Sequence, residues 1–230
     1  MRFRIITITC LSILILSCGK TKEEIKLEQL QTEHNKEIER IHLEKIEVGK
    51  SKMKMELTKE LERLNKIMEQ ENKKLDEINE FKLGRSSSTK DKELSEQNKR
   101  IYFLETVISK IENEISELNL TQTYDFQDSP KQLVNYLFEM AQNKDFSKMR
   151  HLCDPYGEGD NESRSLCLLE IHEAGSQQRY IETFQNGRII GNPILEDNEA
   201  IVEIATGPNS DRLIKINLIN RMGKWYVYSL

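Results

Sequence analysis

The sequence predicts an α+β protein, with a long N-terminal helical coiled-coil hairpin followed by a small domain of helices on a curved antiparallel sheet. Two observations predict this fold class. Apolar residues recur at alternating spacings of four and three on both sides of a glycine- and serine-rich break at residues 84–89, and this heptad repeat is typical of helices that wrap around each other. After about residue 188 the apolar period changes to two, which indicates strands.

The two heptad rows have matching lengths. The first row contains Leu57, Leu61, Leu64, Met68, Glu71, Leu75 and Ile78, and the second contains Ile101, Leu104, Ile108, Ile111, Ile115 and Leu118. Folding the chain back within the break sets Glu71 level with Leu104, so residues 57–120 are predicted to form an antiparallel hairpin. Glu71 then either fixes the register of the two helices or marks a position where their packing is loose and the side chain reaches solvent. The competing arrangement is a parallel dimer or trimer of the whole arm.

The chain before the hairpin, residues 18–56, is predicted to be a helical stalk. It has no proline, and lysine, glutamate, leucine and isoleucine dominate it. Its apolar stripe is narrow and shifts register near Gly49, where we expect a bend or local unwinding. The net charge of -5 is spread through mixed runs, and no basic stripe alternates with aromatic residues. Nucleic acid is therefore not a predicted partner.

Residues 1–17 are predicted to be a targeting segment. Two arginines precede an apolar run over residues 5–16, which is too short to span a bilayer. The run ends in Ile15-Leu16-Ser17-Cys18, which resembles the lipobox of bacterial lipoproteins, a short motif. The resemblance implies cleavage before Cys18, a diacylglycerol on its thiol and an acyl chain such as palmitate on the new amine. The alternative is an ordinary signal peptide with a chance cysteine.

The predicted location is the bacterial cell envelope, with the protein held there by its lipid. Gly19 stands after the cysteine in place of aspartate, which resembles the enterobacterial lipoproteins that are delivered to the outer membrane. Two or three acyl chains on one residue hold a protein firmly to a membrane. The predicted partners are therefore the membrane, through the N-terminal lipid, and either another protein or a second copy along the helical arm.

Composition changes after the hairpin, where residues 121–128 are a predicted linker and residues 129–230 a separate domain. Ser129 is a predicted N-cap, followed by Pro130 at the first helical position. Short helices are predicted over residues 146–153 and 162–172, and an antiparallel meander follows them. Turns between its strands are predicted at residues 196–198, 207–210 and 221–224.

Three segments of this domain resemble the nuclear transport factor 2-like superfamily, and the resemblance covers Ser129 to Leu230. The segments are Lys131–Leu137, Asn143-Lys144-Asp145-Phe146 and Gly223-Lys224-Trp225. In that superfamily, helices close a curved sheet into a cone around a pocket. Some members are isomerases or dehydratases with Asp, His or Tyr in the pocket, and many only bind or dimerise. The resemblance implies a cone-shaped domain whose pocket either binds a small apolar ligand or is filled by side chains.

No spacing in the sequence forces the candidate residues for such chemistry into one pocket. The candidates are His151, Asp154, His172, Asp145 and Tyr180. General acid–base catalysis needs two of them in one dry pocket. His34 and His42 share a helix side, but no carboxylate and cysteine set converges with them. We therefore expect no catalytic residue, cofactor or metal, and a non-catalytic interaction function. The alternatives are a small-ligand-binding module and, less favoured, an isomerase-like or dehydratase-like enzyme.

Cys153 and Cys167 are the thiols that remain once Cys10 is removed and Cys18 is acylated. An oxidising envelope favours a disulfide between them. It would close a loop of about 15 residues and stabilise the fold by roughly 3 kcal/mol in the loop-entropy account. The alternative is a pair of buried free thiols, which the leucines on both sides of Cys167 favour.

Overall fold

The computed structural model describes residues 21–80, 87–172 and 174–230. The chain divides into two compact units, Met1–Leu43 and Glu44–Leu230. The lipobox with Cys18 lies outside the described residues, as do Gly84 to Ser86 of the predicted break.

Helix α1 spans Lys22–Glu80 without interruption. It begins with a capping box, because the Thr21 hydroxyl accepts a hydrogen bond from the Glu24 N–H at 3.2 Å and the Glu24 carboxylate accepts one from the Thr21 N–H at 2.7 Å. In the first unit, apolar side chains such as Leu27, which is 65% exposed, face solvent. Residues 44–56 of the predicted stalk belong to the second unit, where Ile46 and Gly49 are buried.

Helix α2 spans Ser87–Glu117 and packs antiparallel to α1, so the predicted hairpin is confirmed. The Lys90 ammonium donates to the carbonyl oxygen of Asn79 at 2.9 Å and so joins the start of α2 to the end of α1. Apolar side chains from both heptad rows form a shared cluster, which also contains Ile171 from the C-terminal domain. Its buried members are Leu57, Leu64, Leu104, Val107, Ile111 and Ile171. The heptad spacing keeps both stripes on the shared side of the hairpin.

The predicted register of the hairpin is wrong by one heptad. The Gln97 side-chain amide donates to the Glu71 carbonyl oxygen at 2.7 Å and to its carboxylate at 2.8 Å. The predicted neighbour of Glu71, Leu104, lies seven residues further along α2. A slip of seven residues leaves both apolar stripes facing each other, so the heptad pattern alone does not separate the two registers. The paired polar groups of Glu71 and Gln97 favour the observed one.

Three helices open the C-terminal domain: α3 (Pro130–Asn143), α4 (Asn161–Cys167) and α5 (Ala174–Phe184). The predicted start of α3 is confirmed, because the Ser129 hydroxyl accepts from the Gln132 N–H. The predicted helix over residues 146–153 is a shorter 3-10 turn, Met149–Leu152. Helix α5 was not predicted, although Tyr180, Ile181 and Phe184 form its buried face.

Five strands form one antiparallel sheet, β1 (Arg188–Ile189), β2 (Ile194–Glu196), β3 (Glu199–Thr206), β4 (Arg212–Arg221) and β5 (Lys224–Ser229). The order is β1-β3-β4-β5, and β2 also pairs with β3, so the predicted meander is confirmed. Register pairs such as Val202 with Ile216 place branched side chains on one face. That face packs on α3 and α5 and forms the main hydrophobic core.

Helix α1 and the C-terminal domain are in close contact at Gly49. A Cβ atom at this position would lie 2.0 Å from the carbonyl oxygen of Pro155, so only glycine fits there. Ile46 packs beside this contact in a cluster with Leu118, Leu120 and Tyr156. The register shift that the sequence shows near Gly49 therefore coincides with a helix-to-loop contact, and α1 remains helical through it.

An ion-pair network fixes the loop that Gly49 contacts. The Arg221 guanidinium donates two hydrogen bonds to the buried Asp154 carboxylate, at 3.0 and 2.9 Å, and one to Glu158 at 2.7 Å. It also lies over the Tyr156 ring, 4.3 Å from the ring centroid. The Asp154 carboxylate accepts from the Tyr156 N–H as well. Bidentate geometry with further hydrogen bonds offsets the cost of burying these charges.

Substituting alanine at two helical glycines is expected to have opposite effects. Gly49→Ala forces α1 away from Pro155, and we expect the free energy of unfolding to fall by about 1–3 kcal/mol despite the better helix propensity. Gly175→Ala is the matched control, because no atom lies within 4 Å of its added Cβ, and it should leave stability equal or higher by up to about 1 kcal/mol. Urea unfolding measures both, and equal effects of the two substitutions would contradict the close contact.

Candidate functional site

An open apolar groove runs along one side of the hairpin, with a cavity volume of about 840 Å³. We call it the hairpin groove. Its floor consists of apolar side chains from both helices, namely Leu64, Ile67, Phe103, Leu104 and Val107. Ile171, Ala174 and Gly175 line it from the C-terminal domain. Phe103 is 48% exposed, which is a large exposed fraction for an aromatic side chain beside a hydrophobic cluster.

Charged residues form the rim of the hairpin groove. On the α1 side, Arg63 forms an ion pair with Glu60 at 2.6 Å, and Glu71 is bound by Lys74 and Gln97. Hydrogen bonds from Lys74 and Gln97 lower the pKa of Glu71. On the α2 side, Lys99 and Arg100 are exposed, and neither forms an ion pair within 4 Å among the described residues. The groove therefore combines an apolar floor with an excess of positive charge.

A second, polar pocket of about 310 Å³ lies between α2 and the C-terminal domain. Arg150 dominates it, because its guanidinium contacts the carboxylates of Glu114 and Glu170. Lys110 adds a weaker ion pair to Glu170 at 3.9 Å. These opposite charges pair across the boundary between α2 and the C-terminal domain. The main effect of the pocket is therefore to hold the two together.

His151 lines the same pocket, and it is the one predicted candidate that does so. Burial, followed by the positive charges of Arg150 and Lys148, lowers the pKa of His151 to about 4. Its ring packs edge-on against Tyr124 at 5.0 Å between centroids, and its carbonyl oxygen accepts from the Gln127 amide. The imidazole is thus neutral at neutral pH and is a weak base, which does not suit a general base operating near pH 7.

The low pKa of His151 predicts a pH-dependent stability. Between about pH 4 and 6.5 the unfolded chain binds a proton at this histidine and the folded chain does not, so folding weakens as pH falls. After allowance for the partial exposure of the ring, we expect a loss of about 1 kcal/mol from pH 7 to pH 5. His151→Gln should remove this part of the loss in urea unfolding. An unchanged pH dependence in that variant would contradict the assignment.

The other predicted catalytic candidates have separate structural roles. Asp154 is held by Arg221, and the Tyr180 hydroxyl donates to the Leu137 carbonyl oxygen at 2.7 Å. Asp145 accepts from the Ser147 N–H at 3.0 Å, and this bond lowers its pKa. His172 does not line the polar pocket with His151. Among the described residues, the pockets that contain a member of this set contain one each, His151 in the polar pocket and Asp154 in another.

The space between the sheet and the helices of the C-terminal domain is filled by side chains. Leu133, Leu137, Val202 and Ile216 have no solvent-accessible surface, whereas a side chain lining an open pocket would have some. Tyr180 is also buried there, and burial raises its pKa well above the usual value. Tyr226 is buried outside this core, and burial raises its pKa to about 12. The arrangement leaves no room for an apolar ligand between these residues.

The structure joins Cys153 and Cys167 in a disulfide, with their Cα atoms 6.0 Å apart. The bond links the 3-10 turn before the Asp154 loop to the last residue of α4. Both cysteines are buried. The oxidation state of this pair in the cell stays a prediction, as do the cell-envelope location and the lipid on Cys18.

Sequence reasoning missed two buried glutamines, which form hydrogen bonds within the hairpin and beside His151. Gln97 is paired with Glu71 in the hairpin. Gln127 has no exposed surface, accepts from the Tyr124 N–H at 2.7 Å and donates to the His151 carbonyl oxygen at 2.8 Å. A glutamine in a polar segment has no signal of burial in the sequence. Its partners are set only when distant elements pack together.

The described residues contain no group of three or more histidine, cysteine or acidic side chains that is placed to hold a metal ion. Within residues 21–80, 87–172 and 174–230, none of the helices combines the length and the apolar character needed to cross a membrane. The comparisons with protein families, curated proteins and solved structures found no match for this chain.

Proposed function

We propose that this chain is a lipid-anchored, non-catalytic protein of the bacterial cell envelope that binds another protein through the hairpin groove. Cys18 is the proposed site of the lipid, and the outer membrane is the proposed location. Residues 129–230 are proposed to be a nuclear transport factor 2-like domain, an idea supported by the order of three helices followed by an antiparallel meander.

The open hairpin groove is the observation that carries this proposal. The main core of the C-terminal domain is closed, and Tyr180 and Asp154, which were weighed as catalytic candidates, are engaged separately. By contrast, the groove leaves Ile67 half-buried and the ring of Phe103 48% exposed beside the buried side chains of its floor. An apolar surface rimmed by charge is typical of a protein-binding site.

Two alternatives have less support. A small apolar ligand in the cone would need space that the core side chains occupy. Self-association along the N-terminal part of α1 is favoured by one observation, the exposure of Leu27 and Ile41, which lie fourteen residues apart in the heptad row. Val48 and Met55 belong to the same row and His34 is its polar member, but Glu37, Glu44 and Ser51 occupy the alternate heptad positions, so a coiled coil formed there would be weak.

The lipid anchor is tested by substituting serine for each N-terminal cysteine. We expect mass spectrometry of the N-terminal peptide from purified membranes to show acyl groups on Cys18. Cys18→Ser should move the protein from the membrane fraction to the soluble fraction, because it removes the acylated thiol. Cys10→Ser is the matched control, and it should leave anchoring unchanged. An unmodified Cys18 in the membrane fraction would contradict the anchor.

The binding surface is tested with a photoreactive phenylalanine analogue at two neighbouring exposed aromatic positions. Phe103 lines the hairpin groove, whereas Tyr102 is 72% exposed and lies on another face of α2. In intact cells we expect one recurring, identified protein to be crosslinked at position 103 and not at position 102. Crosslinking that is absent at position 103, or equal at both positions, would rule out the groove as the binding surface.

A further inference from the structure

We infer that the hairpin groove binds an amphipathic helix of a partner protein, with carboxylates flanking the apolar face of that helix. The inference rests on the proposed function, since it takes the groove to be the protein-binding surface. It adds the secondary structure and the charge of the segment that binds.

The dimensions of the groove fit a helix. Its α1 side runs from Glu60 to Glu71, which is about 17 Å of helix, or three turns. The apolar floor contributed by two helices suits a third helix with apolar residues at positions i, i+3 or i+4, and i+7. A partner strand would find no unpaired backbone groups here, because α1 and α2 satisfy theirs internally. The backbone N–H and C=O groups of a partner helix are already hydrogen-bonded within that helix when it binds.

The charges of the rim favour an acidic partner. The Glu60–Arg63 pair and the contacts of Glu71 with Lys74 neutralise the α1 side. Lys99 and Arg100 on the α2 side keep their positive charges exposed, and Arg100 acts on Glu71 only at longer range. Carboxylates on the partner would meet these two cations at the edge of the apolar contact, which favours association and fixes orientation.

The same charges argue against a second copy as the occupant. Two chains joined groove to groove would bring together two linings that each carry three cationic side chains, Arg63, Lys99 and Arg100, against two carboxylates. Like charges brought together in this way oppose association. The groove therefore suits a different protein better than it suits itself.

A displayed library of helical peptides tests the inference directly. The apolar face of each three-turn peptide varies among leucine, isoleucine and phenylalanine, and the flanking positions vary among glutamate, glutamine and lysine. Peptides are selected on the full membrane-purified chain in detergent. We expect glutamate to be enriched at least tenfold over lysine at the positions beside Lys99 and Arg100, and the enrichment to weaken as salt is raised.

Three variants separate the contribution of the apolar floor from that of the two rim cations. Phe103→Glu should abolish selection, and Tyr102→Glu, which adds the same charge on another face, should preserve it. Lys99→Glu combined with Arg100→Glu should reverse the preference from glutamate to lysine. All four substituted side chains are exposed, so the midpoint temperature of thermal unfolding should be unchanged in each variant.

The outcomes distinguish this inference from the function on which it rests. Selection of lysine-flanked peptides, or no selection above the Phe103→Glu variant, would overturn the acidic-helix inference, and crosslinking at position 103 would still support the proposed function. Sedimentation that shows a dimer dissociated by Phe103→Glu would assign the groove to a second copy and overturn the inference. A failure of crosslinking at position 103 would instead remove the proposed function.

Discussion

The close approach of α1 to the Pro155 loop is the constraint on which the rest of the structure depends. At Gly49 the helix backbone and the loop backbone are in direct contact, and no other residue type leaves room for this. Arg221 holds the loop in place through Asp154 and Glu158. The hairpin is therefore part of the same compact unit as the C-terminal domain and not a separate arm.

Contacts with the C-terminal domain also determine which surfaces of the hairpin stay open. One side of the hairpin is covered, because Ile171 joins the hairpin cluster and Arg150 bridges Glu114 of α2 to Glu170. The hairpin groove remains uncovered beside it, on helices that pack against the C-terminal domain. A binding surface built on rigid helices loses little conformational entropy when a partner binds. The structure therefore combines a closed domain core with an open apolar surface on the hairpin.

Much of this fold follows from the sequence, and the exceptions have physical reasons. Heptad spacing predicted both hairpin helices, and alternation predicted the sheet, because each pattern is local. The register was wrong because a slip of seven residues preserves the apolar stripes, and the polar contact between Gln97 and Glu71 is not visible in the pattern. The contact at Gly49 and the groove result from packing between distant segments, which no local pattern encodes.

The central claim is that the hairpin and the C-terminal domain unfold together. Trp225 is the single tryptophan of the chain and lies in β5, so its fluorescence during urea unfolding follows the C-terminal domain. Leu64→Ala removes a buried side chain from α1 and should cost about 3 kcal/mol. We predict that the Trp225 transition of this variant shifts to lower urea by that full amount. A Trp225 transition identical to that of the unsubstituted chain would show that the hairpin unfolds separately and would contradict the account.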